Sequence, residues 1–164
     1  MICFNRDSIR DIIDMMPPVS IESLSEEWKK DSPIDITRLS DETSRIPVLH
    51  SKYSTILSYH NMCAKKLERQ FYQLKAIKWQ YYNGDLNNQE DLEKYGFEPL
   101  LKKVMKQNIQ IFLDADEELN DILMKIAKHK EIVDLCTLII KEINNRTYQV
   151  GNIIKQEIYL GGGP

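Results

Sequence analysis

Mostly apolar residues recur at intervals of three and four along the stretch from Pro47 to Gly84. This spacing places them on one face of an α-helix in heptad register. The stripe consists of Leu49, Tyr53, Ile56, His60, Cys63, Leu67, Gln70, Leu74, Ile77 and Tyr81. The pattern predicts a helix, about 55 Å long, that begins at Pro47 and ends at Asn83-Gly84. Because a domain of this size cannot cover so long a face alone, we expect part of it to meet another chain.

A second stripe of the same kind follows an acidic stretch at residues 114–118. Its members are Leu119, Ile122, Leu123, Ile126, Ile132, Val133, Cys136, Ile139, Ile140 and Ile143. Acidic side chains favourably oppose the positive end of a helix dipole, so the pattern predicts a helix from about Asp114 to Asn144. Since both helices are long, we expect them to pair as an antiparallel hairpin.

The end of the chain predicts a separate assembly helix. Asn144-Asn145 is expected to break the second long helix, and residues 147–160 then form another amphipathic segment. A short isolated helix is marginal in water and would expose its apolar side chains, so we expect a neighbouring protomer to cover them. The predicted oligomerisation residues are Val150, Ile153, Ile154 and Ile158.

Three shorter segments precede the first long helix. Residues 6–16 form an amphipathic helix that Pro17-Pro18 ends. A capping box from Ser23 to Glu26 starts the next helix. Residues 35–46 form a third segment, which Pro47 separates from the long helix or kinks against it.

The region between the two long helices is more polar and less periodic. Residues 85–96 are expected to be a loop, because Asn, Asp and Glu dominate them. Phe97-Glu98-Pro99 is expected to start a helix that continues to Met105, with proline in its first turn. Residues 109–113 are ambiguous between strand and helix, and we expect a helix or an extended link because no partner strand is evident.

The fold class predicted is therefore all-α, a long hairpin of coiled-coil-like helices with short N-terminal helices and a C-terminal assembly helix. Only six glycines and six prolines interrupt 164 residues, which favours helices over a sheet of short strands. We expect residues 1–19 to be an N-terminal extension, 20–160 a single helical domain and 161–164 a disordered tail.

The stretch 47–84 also concentrates positive charge. It carries six lysine and arginine side chains against Glu68 alone, a net charge of +5, whereas the whole chain has a net charge of −3. Aromatic side chains lie near the basic ones, and such a combination can neutralise phosphates and stack unpaired bases. The pattern favours single-stranded nucleic acid as a ligand. The predicted DNA-binding residues are Lys65, Lys66, Arg69, Lys75, Lys78, Trp79 and Tyr82.

A second interpretation of this stretch is structural. A long helix needs a polar face, and lysines on such a face are often only solvated. Tyr53 and Tyr81 lie in the apolar stripe and are expected to pack in the core, whereas Trp79 and Tyr82 lie off it. Under this interpretation the chain is a helical scaffold that binds only protein. Binding of single-stranded DNA at low salt would distinguish the two hypotheses.

The sequence carries no motif for catalysis or for a cofactor. The phosphate-binding, dinucleotide-binding, zinc-protease and nucleophile-elbow patterns are absent. Three widely spaced cysteines suggest neither a disulfide framework nor a zinc knuckle, and His60 with Cys63 would lack two further metal ligands. A helix start explains the acidic residues from Asp114 to Asp121. We therefore expect no enzyme, no metal and no cofactor.

Nothing in the sequence predicts export or membrane insertion. The first fifteen residues carry five charged side chains, which a secretory signal does not tolerate in its apolar region. No uncharged apolar run approaches the length that spans a bilayer. We expect a cytoplasmic protein.

Several motifs occur in an order that resembles one family. They are ID-x-T-x-L, I-P-x-L-H-S-K-Y, L-K-A-I-K-W-Q-Y-Y-N-G, L-D-A-D-E-E-L and I-N-N-R-T-Y-Q-V-G-N-I-I. Together they resemble the UvsY recombination mediators of T4-like bacteriophages, over roughly Ser20 to Leu160. The first nineteen residues have no counterpart in this resemblance.

The resemblance implies a non-enzymatic protein that binds single-stranded DNA and forms a ring-like homo-oligomer, a hexamer or heptamer. It further implies a role in loading the RecA-like recombinase UvsX onto DNA coated with the phage single-strand-binding protein, in the cytoplasm of the infected bacterial host. In the family a basic pair before the double tyrosine is associated with DNA contact. Here one member aligns with Lys78 and the other with Ala76, so Lys75 is the nearest substitute. The family's C-terminal region, here residues 147–160, is associated with self-assembly.

Overall fold

The computed structural model describes residues 19–86, 88–100 and 104–161. Every regular element in these ranges is helical, which confirms the all-α prediction. The α-helices within the described ranges are α1 (Ile21–Asp31), α2 (Leu39–Asn83), α3 (Gln89–Tyr95), α4 (Ile109–Asp114) and α5 (Glu117–Leu160). Short 3-10 turns, Ile36–Arg38 and Lys106–Asn108, precede α2 and α4. The helix predicted at residues 6–16 lies outside the described residues.

The chain divides into two compact units, and both long helices contribute to each. The first unit comprises the residues up to Asn61 and from Lys130 onward, and the second comprises Met62–His129. The first half of α2 therefore packs with the second half of α5, and the second half of α2 with the first half of α5. The pairing of the two whole helices as an antiparallel hairpin stays a prediction. The assignment of residues 20–160 to a single domain stays a prediction.

The core of the first unit forms where α1 covers the seam between α2 and α5. Its buried members are Leu24, Leu49, Tyr53, Ile56, Ile132, Cys136, Ile139 and Ile143. The Trp28 ring meets the Tyr53 ring edge-on, with centroids 5.6 Å apart. The Tyr53 hydroxyl donates a hydrogen bond to Asp31 Oδ2 over 3.0 Å. Burial raises the pKa of the Cys136 thiol to about 11, so the thiol stays protonated at neutral pH.

Helix α1 begins three residues earlier than the sequence motif suggested. Its N-cap is Ser20, whose Oγ accepts from the Ser23 N–H at 3.1 Å, while Ser23 Oγ accepts from the Ser20 N–H at 3.0 Å. The predicted capping box at Ser23 to Glu26 was therefore wrong by one turn. Ser23 is the third helical residue of the box and not its first member.

Pro47 neither starts α2 nor separates it from the preceding segment. The helix is continuous from Leu39 to Asn83 with Pro47 in its interior. Contacts before the proline hold that segment helical, because Arg45 pairs with Asp31 at 3.0 Å and Glu42 is buried. Since Pro47 itself is exposed, water can solvate the backbone carbonyl that its missing N–H leaves without a partner.

Asn144-Asn145 does not break α5, so the predicted separate terminal helix is wrong. The apolar stripe continues across these residues, with Ile143 before them and Val150 after them both buried. Between these two positions Arg146 donates from one guanidinium nitrogen to the backbone carbonyls of Ser32 at 2.6 Å and Pro33 at 2.7 Å. The weak helix propensity of asparagine costs about 0.7 kcal/mol per residue at most, less than these contacts contribute.

The second unit has its own smaller core. Leu74 of α2, Ile109 and Leu113 of α4, and Leu119 of α5 are buried together, with Phe71, Tyr82, Val104 and Ile122 packed against them. Residues 109–113 are therefore helical, which is one of the two conformations, helix or extended link, that the sequence left open. They form α4 because Ile109 and Leu113, four residues apart, both face this core.

The connection between α2 and α4 differs from its prediction in two places. Residues 89–95 form α3 inside the expected loop. The helix ends at its C-cap Gly96, whose φ of 70° is left-handed. The helix expected from Phe97 is absent from residues 97–100 and 104–105. Instead, the Phe97 ring packs on Tyr81 with centroids 4.7 Å apart, and the Tyr81 hydroxyl donates to the Glu98 carbonyl over 2.7 Å. These contacts hold the chain extended.

The contacts of Arg146 generate a stability prediction. Arg146→Met keeps the apolar stem but removes the hydrogen bonds to the Ser32 and Pro33 carbonyls. It also removes one of the two cations beside the buried Glu42, whose Oε2 lies 3.9 Å from Arg146 and whose Oε1 lies 3.6 Å from Arg45. We expect a loss of about 3–5 kcal/mol in the free energy of unfolding, measured by urea denaturation. Adding Glu42→Gln should recover part of the loss. The matched control is Lys141→Met on the exposed face of α5. An unchanged urea midpoint in Arg146→Met would contradict the assignment.

Candidate nucleic-acid interface

One exposed face of α2 carries basic and aromatic side chains in a single row. We call Lys65, Arg69, Tyr72 and Trp79 the outer strip. Their spacings of four, three and seven residues place them on one side of the helix, opposite the buried Leu67 and its stripe. The strip extends about 21 Å along the helix axis. Tyr72 is 69% exposed and Trp79 is 46% exposed, so both rings are accessible to a ligand.

Tyr72 belongs to this strip but was missing from the predicted site. The sequence contained the signal, because residues 65, 69, 72 and 79 follow one heptad row outside the core stripe. The Tyr72 ring lies edge-on to Phe71, with centroids 5.5 Å apart. Phe71 packs against the core of the second unit and thereby supports Tyr72 from below.

Two predicted lysines flank the outer strip. Lys66 and Lys75 are both half-buried, on opposite sides of the row. The Lys75 ammonium lies over the Phe71 ring, 5.8 Å from its centroid. The Lys75 stem therefore covers the apolar Phe71 ring beside the strip.

Lys78 is not part of this surface, which corrects its prediction as a phosphate contact. Only 7% of it is exposed, and its ammonium pairs with Asp116 Oδ1 at 2.5 Å and with Glu118 Oε2 at 3.1 Å. A buried ammonium group needs such partners to offset its lost hydration. Because the Lys78 ammonium pairs with these carboxylates, it is not available to a phosphate. The position lies on the core face of α2, because 78 follows Leu74 by four residues.

Tyr82 lies beside the Lys78–Asp116 ion pair, and its side chain also makes contacts within the chain. Its hydroxyl donates to Asp116 Oδ2 over 3.2 Å, and its ring packs on Phe112 with centroids 5.6 Å apart. Burial and the nearby Asp116 charge raise the pKa of Tyr82 to about 12. The hydroxyl therefore stays protonated and keeps donating at neutral pH. Tyr82 serves this internal network, whereas the outer strip retains Trp79.

Asp116 connects α2 to the start of α5. Besides accepting from Lys78 and Tyr82, its Oδ1 accepts the N–H of Leu119 at 3.0 Å, which caps the helix. Burial alone would raise the pKa of Asp116, but these hydrogen bonds and the Lys78 charge hold it below the ordinary value of 3.8. The acidic stretch was correctly interpreted as a helix start, and Asp116 additionally fixes the turn that precedes it.

The predicted oligomerisation residues fall into two groups. Val150 is buried within its own chain and Ile153 is half-buried, so neither presents a free apolar surface. Ile154 is partly exposed, and Ile158 is 58% exposed. Tyr159 and Leu160, which follow directly, are more exposed still. The last two turns of α5 therefore continue the apolar stripe beyond the point where this chain covers it.

Other kinds of site receive no support from the described side chains. Within residues 19–86, 88–100 and 104–161, no group of three or more His, Cys, Asp or Glu is arranged to hold a metal ion. Cys63 and Cys136 are free thiols, both buried. A membrane crossing would need a longer apolar stretch than any helix in these ranges provides.

Fold and surface together define a class: an all-helical protein whose long central helix presents a basic and aromatic row suited to an unpaired nucleic-acid strand. The family model described as "Recombination, repair and ssDNA binding protein UvsY" matches residues 27–162. The chain belongs to the UvsY family, as its motifs predicted. That description names a binding protein of recombination and repair and no enzyme. Searches of curated proteins and of solved structures gave no match.

The depressed pKa of Asp116 predicts a specific acid sensitivity. Its carboxylate stabilises the fold fully above the unfolded value of 3.8, and this contribution is lost as the pH falls through the lower folded-state pKa. Asp116→Asn should therefore melt well below the parent at about pH 7, and the difference should shrink towards about pH 2. Thermal unfolding across this range measures it. Asp134→Asn, on the exposed face of α5, is the control. A difference that does not change with pH would contradict the prediction.

Proposed function

We propose that this chain is a recombination mediator that binds single-stranded DNA through the outer strip. It helps load the RecA-like recombinase UvsX onto DNA coated with the phage single-strand-binding protein, in the cytoplasm of the infected bacterial host. The outer strip is the observation that carries the DNA-binding part. The loading role and the two protein partners are supported by family membership.

The outer strip has the two chemical components that an unpaired strand needs. Lys65 and Arg69 are exposed and can neutralise phosphates, while Tyr72 and Trp79 offer faces on which bases stack. Lys66 and Lys75 add charge on either side. The side chains of the outer strip would contact phosphates and base faces. None of these four side chains is placed to read base edges. Binding is therefore expected to be insensitive to sequence and sensitive to salt.

Assembly supplies the affinity that a single strip lacks. Four charged side chains and two rings make a weak site, and a strand that crosses several copies gains avidity without any new contact. We propose that the exposed apolar end of α5, with Ile154 and Ile158, packs on a neighbouring protomer in a ring-like homo-oligomer of six or seven copies. Exposed apolar side chains in a row at a chain end support such an interface.

Removal of the two exposed charges of the outer strip tests the DNA site. Lys65→Ala with Arg69→Ala should weaken binding of a labelled oligothymidine. The slope of log affinity against log salt should become shallower by about 0.7 per lost phosphate contact. Lys125→Ala with Lys128→Ala removes the same charge from exposed positions of α5. This control should leave the DNA affinity and its salt slope nearly unchanged. If the two pairs behave alike, or the parent binds no DNA at low salt, the scaffold interpretation replaces this proposal.

A second pair of substitutions tests whether assembly controls binding. Ile154→Glu with Ile158→Glu places charges on the exposed end of α5, and burying them against a neighbour would cost several kcal/mol. Light scattering should show smaller species that remain helical and bind single-stranded DNA far more weakly, although every lysine is intact. Met124→Glu with Leu138→Glu adds equal charge at exposed apolar positions elsewhere on α5. This control should change neither the assembled mass nor the DNA affinity. A fully assembled Ile154/Ile158 variant, or a dissociated one with parental affinity, would refute the link.

A further inference from the structure

Five aromatic rings form a continuous chain at the end of the second unit where α2 finishes. In order of contact they are Tyr95, Phe97, Tyr81, Tyr82 and Phe112. Successive centroids are 5.9, 4.7, 5.1 and 5.6 Å apart. The rings come from α2, α3, the extended segment and α4, and none of these contacts belongs to the outer strip. Except for Phe112, which is exposed, they are half-buried.

Helix α4 adds exposed apolar side chains beside this ring chain. Ile109 and Leu113 face the core, so the opposite side of a solvated helix should be polar. Instead that side carries Ile111, which is 66% exposed, and the flank next to it carries Phe112, which is 46% exposed. Met105, just before the preceding 3-10 turn, is exposed as well. We call Met105, Ile111, Phe112 and the ring chain the hairpin-end surface.

The charge around this surface has the opposite sign to that of α2. From Gly84 to Asp121 the sequence carries ten carboxylates against four lysines, a net charge of −6. Exposed carboxylates include Glu90, Glu93 and Glu98, which lie on either side of Tyr95 and Phe97 in the chain. Lys94 lies over the Tyr95 ring, 5.1 Å from its centroid, so the ring faces already accept a cation here. Such a surface repels a polyanion and attracts cations.

We propose that the hairpin-end surface binds a basic segment of a partner protein that also carries apolar anchor residues. Apolar anchors would cover Ile111 and Phe112, and guanidinium or ammonium groups would meet the carboxylates and the aromatic faces. Asp116 and Glu118 of this region already pair with Lys78. The carboxylates that remain disfavour DNA as the occupant and favour a cationic peptide over a neutral one. The proposed function names no surface for a protein partner, and this inference supplies one that does not depend on the outer strip.

The test uses the full chain and two synthetic amphipathic helical peptides that share the same leucine and phenylalanine positions. One peptide has arginine at every polar position and the other has glutamate. Fluorescence anisotropy should show binding of the arginine peptide only, weakening as salt rises. Ile111→Ser with Phe112→Ser should lower the affinity at least about tenfold. Met124→Ser with Leu138→Ser, a pair of similar exposure on α5, should leave it unchanged.

A second variant changes only exposed charges. It therefore tests peptide binding even if the loss of Phe112 in the first variant disturbs the fold. Glu90→Gln, Glu93→Gln and Glu98→Gln together should weaken arginine-peptide binding and flatten its salt dependence. The proposal is overturned if the arginine peptide does not bind, or binds parent and both variants equally. It is also overturned if the Ile111/Phe112 substitutions reduce the assembled mass or weaken DNA binding instead, since the surface would then face another copy or the nucleic acid. If the outer strip proves not to bind DNA, binding of the arginine peptide to the hairpin-end surface is still expected.

Discussion

Burial of the α2 stripe against the α5 stripe is the interaction on which the other elements depend. Each long helix provides buried side chains to both units, whereas α1 and α3 contribute one buried apolar residue each, Leu24 and Leu92. Helices as short as these are marginal in water, and α1 is stabilised because Leu24 joins the core that α2 and α5 form in the first unit. The exposed faces of the long helices are then left for ligands.

Buried polar contacts determine where the short elements attach to this seam. Asp31, at the end of α1, accepts from Lys52 at 2.8 Å and from Arg45 at 3.0 Å. Arg146 holds the turn after α1 through two carbonyls, and Asp116 holds the start of α5 against Lys78. In each case the apolar stripes supply most of the stability and a charged group selects one arrangement. Two of the six basic residues in the region 47–84, Lys52 and Lys78, thus pair with carboxylates of their own chain.

Periodicity predicted two long helices with apolar stripes, because a spacing of three and four residues marks one helical face directly. It failed where contacts across the fold outweigh local preference. Pro47 is equally compatible with a helix start, and the burial of Glu42 together with the Arg45–Asp31 pair holds the helix before it. The role of Lys78 depends on Asp116, 38 residues away, which no local pattern reveals. Tyr72, by contrast, could have been identified from its heptad position.

The continuity of α5 through Asn144 and Asn145 sets the angular phase of its exposed end. Ile154 and Ile158 project from the same rigid helix that carries Ile139 and Ile143 in the core, with no hinge between them. A single residue inserted after Val150 would turn these side chains by about 100° around the helix axis while leaving the buried positions up to Val150 in place. Whatever covers this end of the helix therefore takes its orientation from the protomer's own core and not from a flexible tether.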